Sequence, residues 1–372
     1  MSEKVYHFGF GVDANYVKYA GILMTNLTEL HPRQRLCFHF ACDGIEADDQ
    51  KRLAAFARQH RNVKIKLYDL SGQLDLLNPI SKVAPQRLHR AVLLRILLPS
   101  VINTKLERLV YMDVDVICCQ PLDELFSVDL EGHPAGAVAG PDSKRNADRL
   151  KLKSGRNYCA GLLVFNLPVW RRKQITQRVV SCYQARTEEL VLLEQDALNL
   201  VLDGDFLTLD KKYNLLIEVN NPLMQKYKDQ AAVLHCVNEA KQWTAGCLPE
   251  IRELYWQYVR RSPWPELQPS EPTTVKAAFL AATTAEVNGE AEQAIKYYGL
   301  VINRFFEHYE SKKTELEKNV GALLDKGAHL ANRGDYKQAV REYGAAAYRL
   351  TQYYLKAVSY THLRAHETDS YL

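Results

Sequence analysis

The sequence predicts an α/β domain built on a mostly parallel sheet, followed by a small all-α domain. Three observations carry this reading. Between Val5 and Cys236 short apolar segments alternate with helix-patterned ones, the order that yields strands joined by helical crossovers. Pro263, Pro265, Pro269 and Pro272 then crowd a short stretch in the manner of a linker. Beyond them only helical patterning remains, and part of it recurs 45 positions later.

Val5–Gly11 reads as a short apolar, aromatic strand, and Gly9-Phe-Gly11-Val-Asp13-Ala14 turns it into the helical stretch Tyr16–Leu27. Cys37–Cys42 is the second strand, with Asp43-Gly44 as its turn. The helix Glu46–Arg58 and the strand Val63–Asp69 follow. Arg87–Leu98 is expected to be helical, with Val92, Leu93, Ile96 and Leu97 on one face. Leu106–Cys118 is a further strand, rich in Val, Ile and Tyr. Ala135–Gly140 is a small-residue strand, Lys144–Arg156 a basic loop, and Leu162–Leu167 a strand. A helix is expected over Ile175–Thr187, another near Glu194–Asn199, and short strands at Phe206–Leu209 and Val233–Cys236.

In the last part, Ala294, Tyr298 and Gly299 recur as Ala339, Tyr343 and Gly344, and Asn288-Gly289-Glu290 recurs in part as Arg333-Gly334-Asp335. Each copy reads as a helix, a Gly-centred turn and a second helix. The pattern is tetratricopeptide-like, with a period longer than the usual ~34 residues; two hairpins simply packed together fit it equally. The expected domains are residues 1–262, a Pro-rich linker 263–273, a helical domain 274–357, and a tail 358–372 read as non-native or disordered.

Composition sets outer limits. A chain of 372 residues that is 47% hydrophobic and 25% charged can bury a sizeable core. Ala91–Ile102, the longest apolar run, is broken by Arg95 and Pro99, and the chain opens into a strand without a signal peptide, so a cytoplasmic location is expected. The net charge of +4 comes without a Lys/Arg stripe interleaved with aromatics, which argues against nucleic acid. Eight cysteines, at 37, 42, 118, 119, 159, 182, 236 and 247, show no paired Cys-X-X-Cys motifs. Buried free thiols are therefore expected rather than disulfides or zinc.

Chemistry concentrates at Tyr111-Met-Asp113-Val-Asp115-Val, where two carboxylates end an apolar strand. Burying both unpaired costs several kcal/mol each, so a cation or the solvent of a cleft must receive them. A divalent metal is one solution and a polar strand end beside a surface turn the other. In a parallel α/β sheet ligands gather at the strands' carboxyl ends, where Asp13, Asp43, Asp113 and Asp115 all fall.

The segments Gly11-Val-Asp13-Ala-Asn15-Tyr16, Arg95, Tyr111–Val116, Ala160-Gly161-Leu-Leu-Val-Phe-Asn166-Leu167, Glu194-Gln195-Asp196 and His235…Lys241-Gln-Trp243 together resemble glycosyltransferase family 8, in the right order over about Val5–Trp243. The nearest resemblance is to bacterial lipopolysaccharide galactosyl- and glucosyltransferases. It implies a GT-A type nucleotide-diphospho-sugar transferase fold, a Rossmann-like mixed sheet, and retaining transfer of a hexose from a UDP-sugar to a glycan or glycolipid acceptor. By the same resemblance Asp113, Asp115 and His235 hold Mn2+ or Mg2+. Asp13, Asn15 and Tyr16 meet the uridine, Lys241 a phosphate, and Val114, Asp142, Cys159 and Ala160 line the donor site. Arg95, Gln195 and Asp196 act at the reacting sugar. Cys159 stands where the family usually has Asn, Glu194 replaces the more common Asp, and Ala14 replaces an acid. The helical part offers a face for a protein partner or for self-association, and any membrane contact is peripheral, at the inner membrane.

Other readings compete. Gly9/Gly11/Ala14 satisfy a loose dinucleotide fingerprint, which would make the chain a nicotinamide oxidoreductase. Asp113-Val-Asp115 with Gly204-Asp205 and Asp210 is similar to the motifs of haloacid-dehalogenase-type phosphatases. A UDP-sugar-binding scaffold that uses the helices for partners is the non-enzymatic alternative.

Overall fold

The computed structural model describes residues 4–77, 90–217, 230–237, 241–245, 247–308 and 313–362. They form two compact units. The first comprises Met1–Ile217, Asn221–Cys236 and Gln257–Leu267; the second comprises Glu218–Asn220, Val237–Trp256 and Gln268–Leu372.

In the first unit, β1 (Val5–Asp13), β2 (Arg35–Asp43) and β3 (Val63–Asp69) alternate with helices α1 (Val17–Leu30), α2 (Ala47–Gln59) and α3 (Ser71–Leu77). A 3-10 turn over Arg90–Leu93 leads into α4 (Leu94–Val101), then β4 (Arg108–Met112) and β5 (Val116–Cys118). Residues 87–89 of the expected Arg87–Leu98 helix lie outside the described residues. β6 (Ala135–Ala139), α5 (Ser143–Leu150), β7 (Tyr158–Asn166), α6 (Leu167–Arg172), α7 (Ile175–Arg186), α8 (Leu193–Val201), β8 (Phe206–Thr208), β9 (Leu215–Ile217) and β10 (Val233–Cys236) complete it.

The large sheet has the order β3-β2-β1-β4-β7-β6-β8, and a small sheet has the order β5-β10-β9. β1, β2, β3 and β4 run parallel, whereas β7 is antiparallel to both β4 and β6. The sheet is therefore mixed, as expected. Alternation decides which side chain meets which layer. Phe8, Phe10, Phe38 and Phe40 share one face, fully buried, with Phe8 and Phe10 both stacked against Phe38, and Phe40 edge-on to Phe10. On the opposite face Gly9 and Gly11 leave room for α4. A Cβ on Gly9 would lie 2.8 Å from Leu98, and one on Gly11 would lie 3.0 Å from both Leu94 and the Tyr111 hydroxyl. These glycines sit inside β1 and serve helix packing, so they are not the phosphate-cradling turn that the dinucleotide reading needs.

Two expectations are corrected. Leu106–Cys118 is not one strand, because β4 ends at Met112 and β5 restarts at Val116 in a different sheet, with Asp113-Val114-Asp115 as the crossing. Two carboxylates cannot join a buried ladder, so the chain leaves the large sheet where they occur. The basic loop 144–156 contains α5, which ends in a left-handed residue, Lys151.

The Pro-rich stretch is not an extended spacer throughout. Trp264 is 4% exposed, donates its indole N–H to Asp49, and fills the space a side chain at Gly21 would need.

The second unit contains the helices expected. α9 (Pro249–Val259) spans the unit boundary, and α10 (Val275–Val287), α11 (Ala291–His308), α12 (Lys313–Asn332) and α13 (Tyr336–His362) follow. The 45-residue recurrence is a repeat of hydrogen bonds. Glu290 N–H donates to Ala285 and Asp335 N–H to Leu330, each beside a glycine with positive φ, Gly289 at 76° and Gly334 at 80°. Residues 363–372 of the expected tail lie outside the described residues.

Candidate active site

The Asp113-Val114-Asp115 crossing sits at the carboxyl ends of β1 and β4. The backbone N–H of Asp113 donates to Gly161 of β7, and Asp115 accepts from the N–H of Cys236 at the end of β10. This pins both acids between the two sheets. His235 reaches the same point from β10, and ligand atoms of Asp113, Asp115 and His235 all lie within 4.8 Å of one another.

The imidazole is oriented from both sides. His235 Nε2 lies 3.1 Å from Asp115, while Nδ1 donates to the amide oxygen of Asn214 at 2.8 Å. That second bond fixes the tautomer that turns Nε2 to the acids. Burial alone would lower the pKa of His235, but the Asp115 carboxylate and its hydrogen bond raise it to about 10. Gly161 makes the crowding possible, because a Cβ there would stand 2.3 Å from the ring of His235 and 3.2 Å from the Asp113 carboxylate. Two carboxylates and one imidazole make a hard to borderline donor set that suits a divalent ion, and the glycine keeps their common space clear.

Next to these acids opens a cleft of about 230 Å³, lined by Gly11, Asp13, Tyr16, Val92, Arg95, Tyr111 and the Asp113–Asp115 turn. Asp13 closes a tight turn by accepting from the N–H groups of Asn15 and Tyr16. Arg95, on α4, is 8% exposed and sits 2.9 Å from Asp113 and 3.4 Å from Glu194, above the ring of Tyr111. Burial opposes its charge, but these acids keep it firmly protonated. Glu194 is buried too, and burial raises its pKa to about 7 despite the guanidinium.

α8 brings in the rest. Gln195 accepts from the N–H of Ala160 at 2.9 Å and is half-buried. Asn199 on the same helix holds both backbone groups of Tyr158, which locks β7 to α8. Cys159 lies beside His235. Burial pushes its thiol up, but the hydrogen bond and charge of His235 bring it below its ordinary value. The neighbouring Asn157 is 3% exposed and its side-chain NH2 has no protein partner.

Three expected site residues stand differently. Asp196 is fully buried, with its oxygens taken by Arg149 at 2.8 and 2.9 Å and by the N–H of Leu192. These contacts anchor α8 to α5. Asp142 is exposed at the start of α5, paired with Arg145. Lys241 belongs to the second unit, in a turn closed by Thr244. Asn214, Glu194 and Gly161 were not assigned from sequence. For Glu194 the signal was its place beside Gln195; for Asn214 there was none.

The phosphatase reading also fails on geometry. Asp205 pairs with Lys173 and His133 and Asp210 caps a short turn, each committed elsewhere than the acid crossing.

A model of glycosyl transferase family 8 matches residues 7–247. The chain belongs to this family. It is 22% identical over 306 residues to a lipopolysaccharide 1,3-galactosyltransferase of Salmonella typhimurium, covering 79% of this chain and 89% of that protein. It is 23% identical over 278 residues to a lipopolysaccharide 1,2-glucosyltransferase of Escherichia coli, covering 72% and 81%. Among solved structures, the galactosyltransferase LgtC with donor and acceptor sugar analogs superposes with a TM-score of 0.57 at 21% identity, over 68% of this chain and 95% of that one. That likeness shows the GT-A fold. The family-8 enzyme described here is thus a glycosyltransferase with an acid–histidine cluster suited to a divalent metal.

Proposed function

We propose that this enzyme is a retaining hexosyltransferase that moves glucose or galactose from a UDP-sugar to a glycan acceptor such as a lipopolysaccharide core. One observation carries the reading: Asp113 and Asp115, joined by His235, line the same cleft as Asp13 and Tyr16. That is the arrangement needed to hold a nucleoside by one end and a diphosphate by the other. Mn2+ fits the donor set, and when bound it supplies charge neutralisation on the departing UDP.

The chain's own residues do the rest. Arg95, fixed between Asp113 and Glu194, orients one acid and presents a permanent positive charge to the donor. Gln195 is held by the N–H of Ala160 at the reacting face. An amide there does not form the glycosyl ester that a carboxylate nucleophile would, so departure of UDP and attack by the acceptor on the same face of the sugar account for retention. A UDP phosphate oxygen then takes the acceptor's proton. The two helical hairpins act as an accessory module for a partner, for self-association or for the acceptor. No described helix is long and apolar enough to cross a membrane, and we place the enzyme in the cytoplasm or peripherally at the inner membrane.

Calorimetric titration of UDP with and without Mn2+, followed by a UDP-release screen of UDP-sugars, tests the reading. Metal-dependent UDP binding and slow hydrolysis of one UDP-hexose are expected. Metal-independent binding would remove the metal role, and binding without hydrolysis or transfer would leave the scaffold reading standing instead.

A further inference from the structure

On the α4 face of the large sheet, outside the residues that line the cleft, β1 and β2 place a second set of side chains able to ligate a metal together. The parallel register sets His7 opposite Cys37 and Gly9 opposite His39, so the three side chains project from one face of two adjacent strands. Their ligand atoms all lie within 4.8 Å of one another. His7 precedes the cleft-lining Gly11 by four positions on the same strand, ~13 Å, and His39 pairs with Gly9, two positions from Gly11, so the cluster shares no residue with the cleft but lies one strand-half away from it.

We propose that His7, Cys37 and His39 form a second metal site, for a borderline to soft transition ion of which zinc is the best fit. Two imidazoles and a thiolate are the donors that such ions prefer, and they differ in kind from the carboxylate-rich cluster at the cleft. One histidine is already arranged for it. His39 Nδ1 bonds the hydroxyl of Tyr68 at 2.9 Å, which leaves Nε2 facing His7 Nδ1, also at 2.9 Å. A ligating histidine is held in this way, by an outer partner on its other nitrogen.

On binding, His7 moves its proton from Nδ1 to Nε2, His39 keeps its Nδ1 proton and donates it to the Tyr68 hydroxyl, and Cys37 releases one proton. Lys64 stands opposite Cys37 on β3 and Lys66 opposite His39. His39 is 1% exposed and Cys37 3%, whereas His7 is half-buried and leaves a way in for the ion and a fourth, solvent ligand.

Cobalt titration of the chelator-treated full chain, with excess Mn2+ to fill the carboxylate site, tests the proposal. One equivalent of Co2+ should produce an intense thiolate-to-cobalt charge-transfer band with tetrahedral visible bands, displaced by Zn2+. Cys37→Ser should abolish the band, and Cys159→Ser, which removes the other thiol near a metal-capable cluster, should leave it in place. Should Cys37→Ser fail to fold, His7→Gln at the half-buried position should weaken Co2+ binding at least ~10-fold. The proposal is overturned by the absence of a band in the natural chain, by its survival in Cys37→Ser, by its loss in Cys159→Ser, or by unchanged affinity in His7→Gln.

Discussion

Two clusters of side chains able to ligate a metal lie in the first unit, one at the crossing from β4 to β5 and one on β1 and β2, and they differ in what surrounds them. The Asp113/Asp115/His235 cluster occupies a break between two sheets, where the backbone has left its ladder and a glycine has been kept clear. The His7/Cys37/His39 cluster lies within an unbroken ladder, and its polarity is absorbed by a chain of hydrogen bonds through His39 to Tyr68. Carboxylates force the backbone aside because they cannot be neutralised cheaply; imidazoles and a thiol can stay neutral and remain in the sheet. The first arrangement opens a cleft and the second does not.

The largest effect expected from breaking this contrast is at the acid pair. Asp113→Asn or Asp115→Asn should lower metal-dependent transfer by ~1000-fold, several kcal/mol, while leaving cooperative thermal unfolding in place. UDP-release assays and scanning calorimetry check it, and near-natural turnover would remove the metal assignment. Gln195→Ala should lower kcat ~100-fold with much less change in donor affinity. The same assay under saturating donor decides this, with NMR of the early product expected to show the α anomer.

Asn214→Ala sharpens the comparison, because it removes the outer hydrogen bond of one cluster only. Mn2+ affinity should fall ~10–100-fold by calorimetry, with the cobalt spectrum of the other cluster unchanged. The smallest effect is on stability. His7 and His39 have folded-state pKa values lowered to about 4 and 3 by burial, below the ordinary 6.5. The unfolded chain therefore binds more protons than the folded one between these limits. Stability is complete above about pH 6.5 and declines as pH falls towards 4, by about 1–2 kcal/mol between pH 7 and 5. Denaturant melts at the two pH values should show it, and a His7→Gln variant should lose less.

The order of strands and helices and the identity of the acid pair were legible because they are local: apolar runs of strand length, turn residues between them, and carboxylates where a buried strand must stop. The Gly-turned helical hairpins were legible for the same reason, as a recurrence whose hydrogen bonds repeat 45 residues apart. Asp196 shows the limit. Its ion pair with Arg149, 47 positions away, has no signal in its neighbours along the chain.

What the sequence by itself determined is the set of elements and the family, since both are written in contiguous residues and their spacing. Only the tertiary structure decided that the strand over 106–118 divides between two sheets, that Asn214 holds His235, and that His7, Cys37 and His39 meet. Those outcomes depend on strand register and on which residues cross from one element to another. Register is fixed by the whole sheet's packing, and no local spacing of histidines and cysteines encodes it.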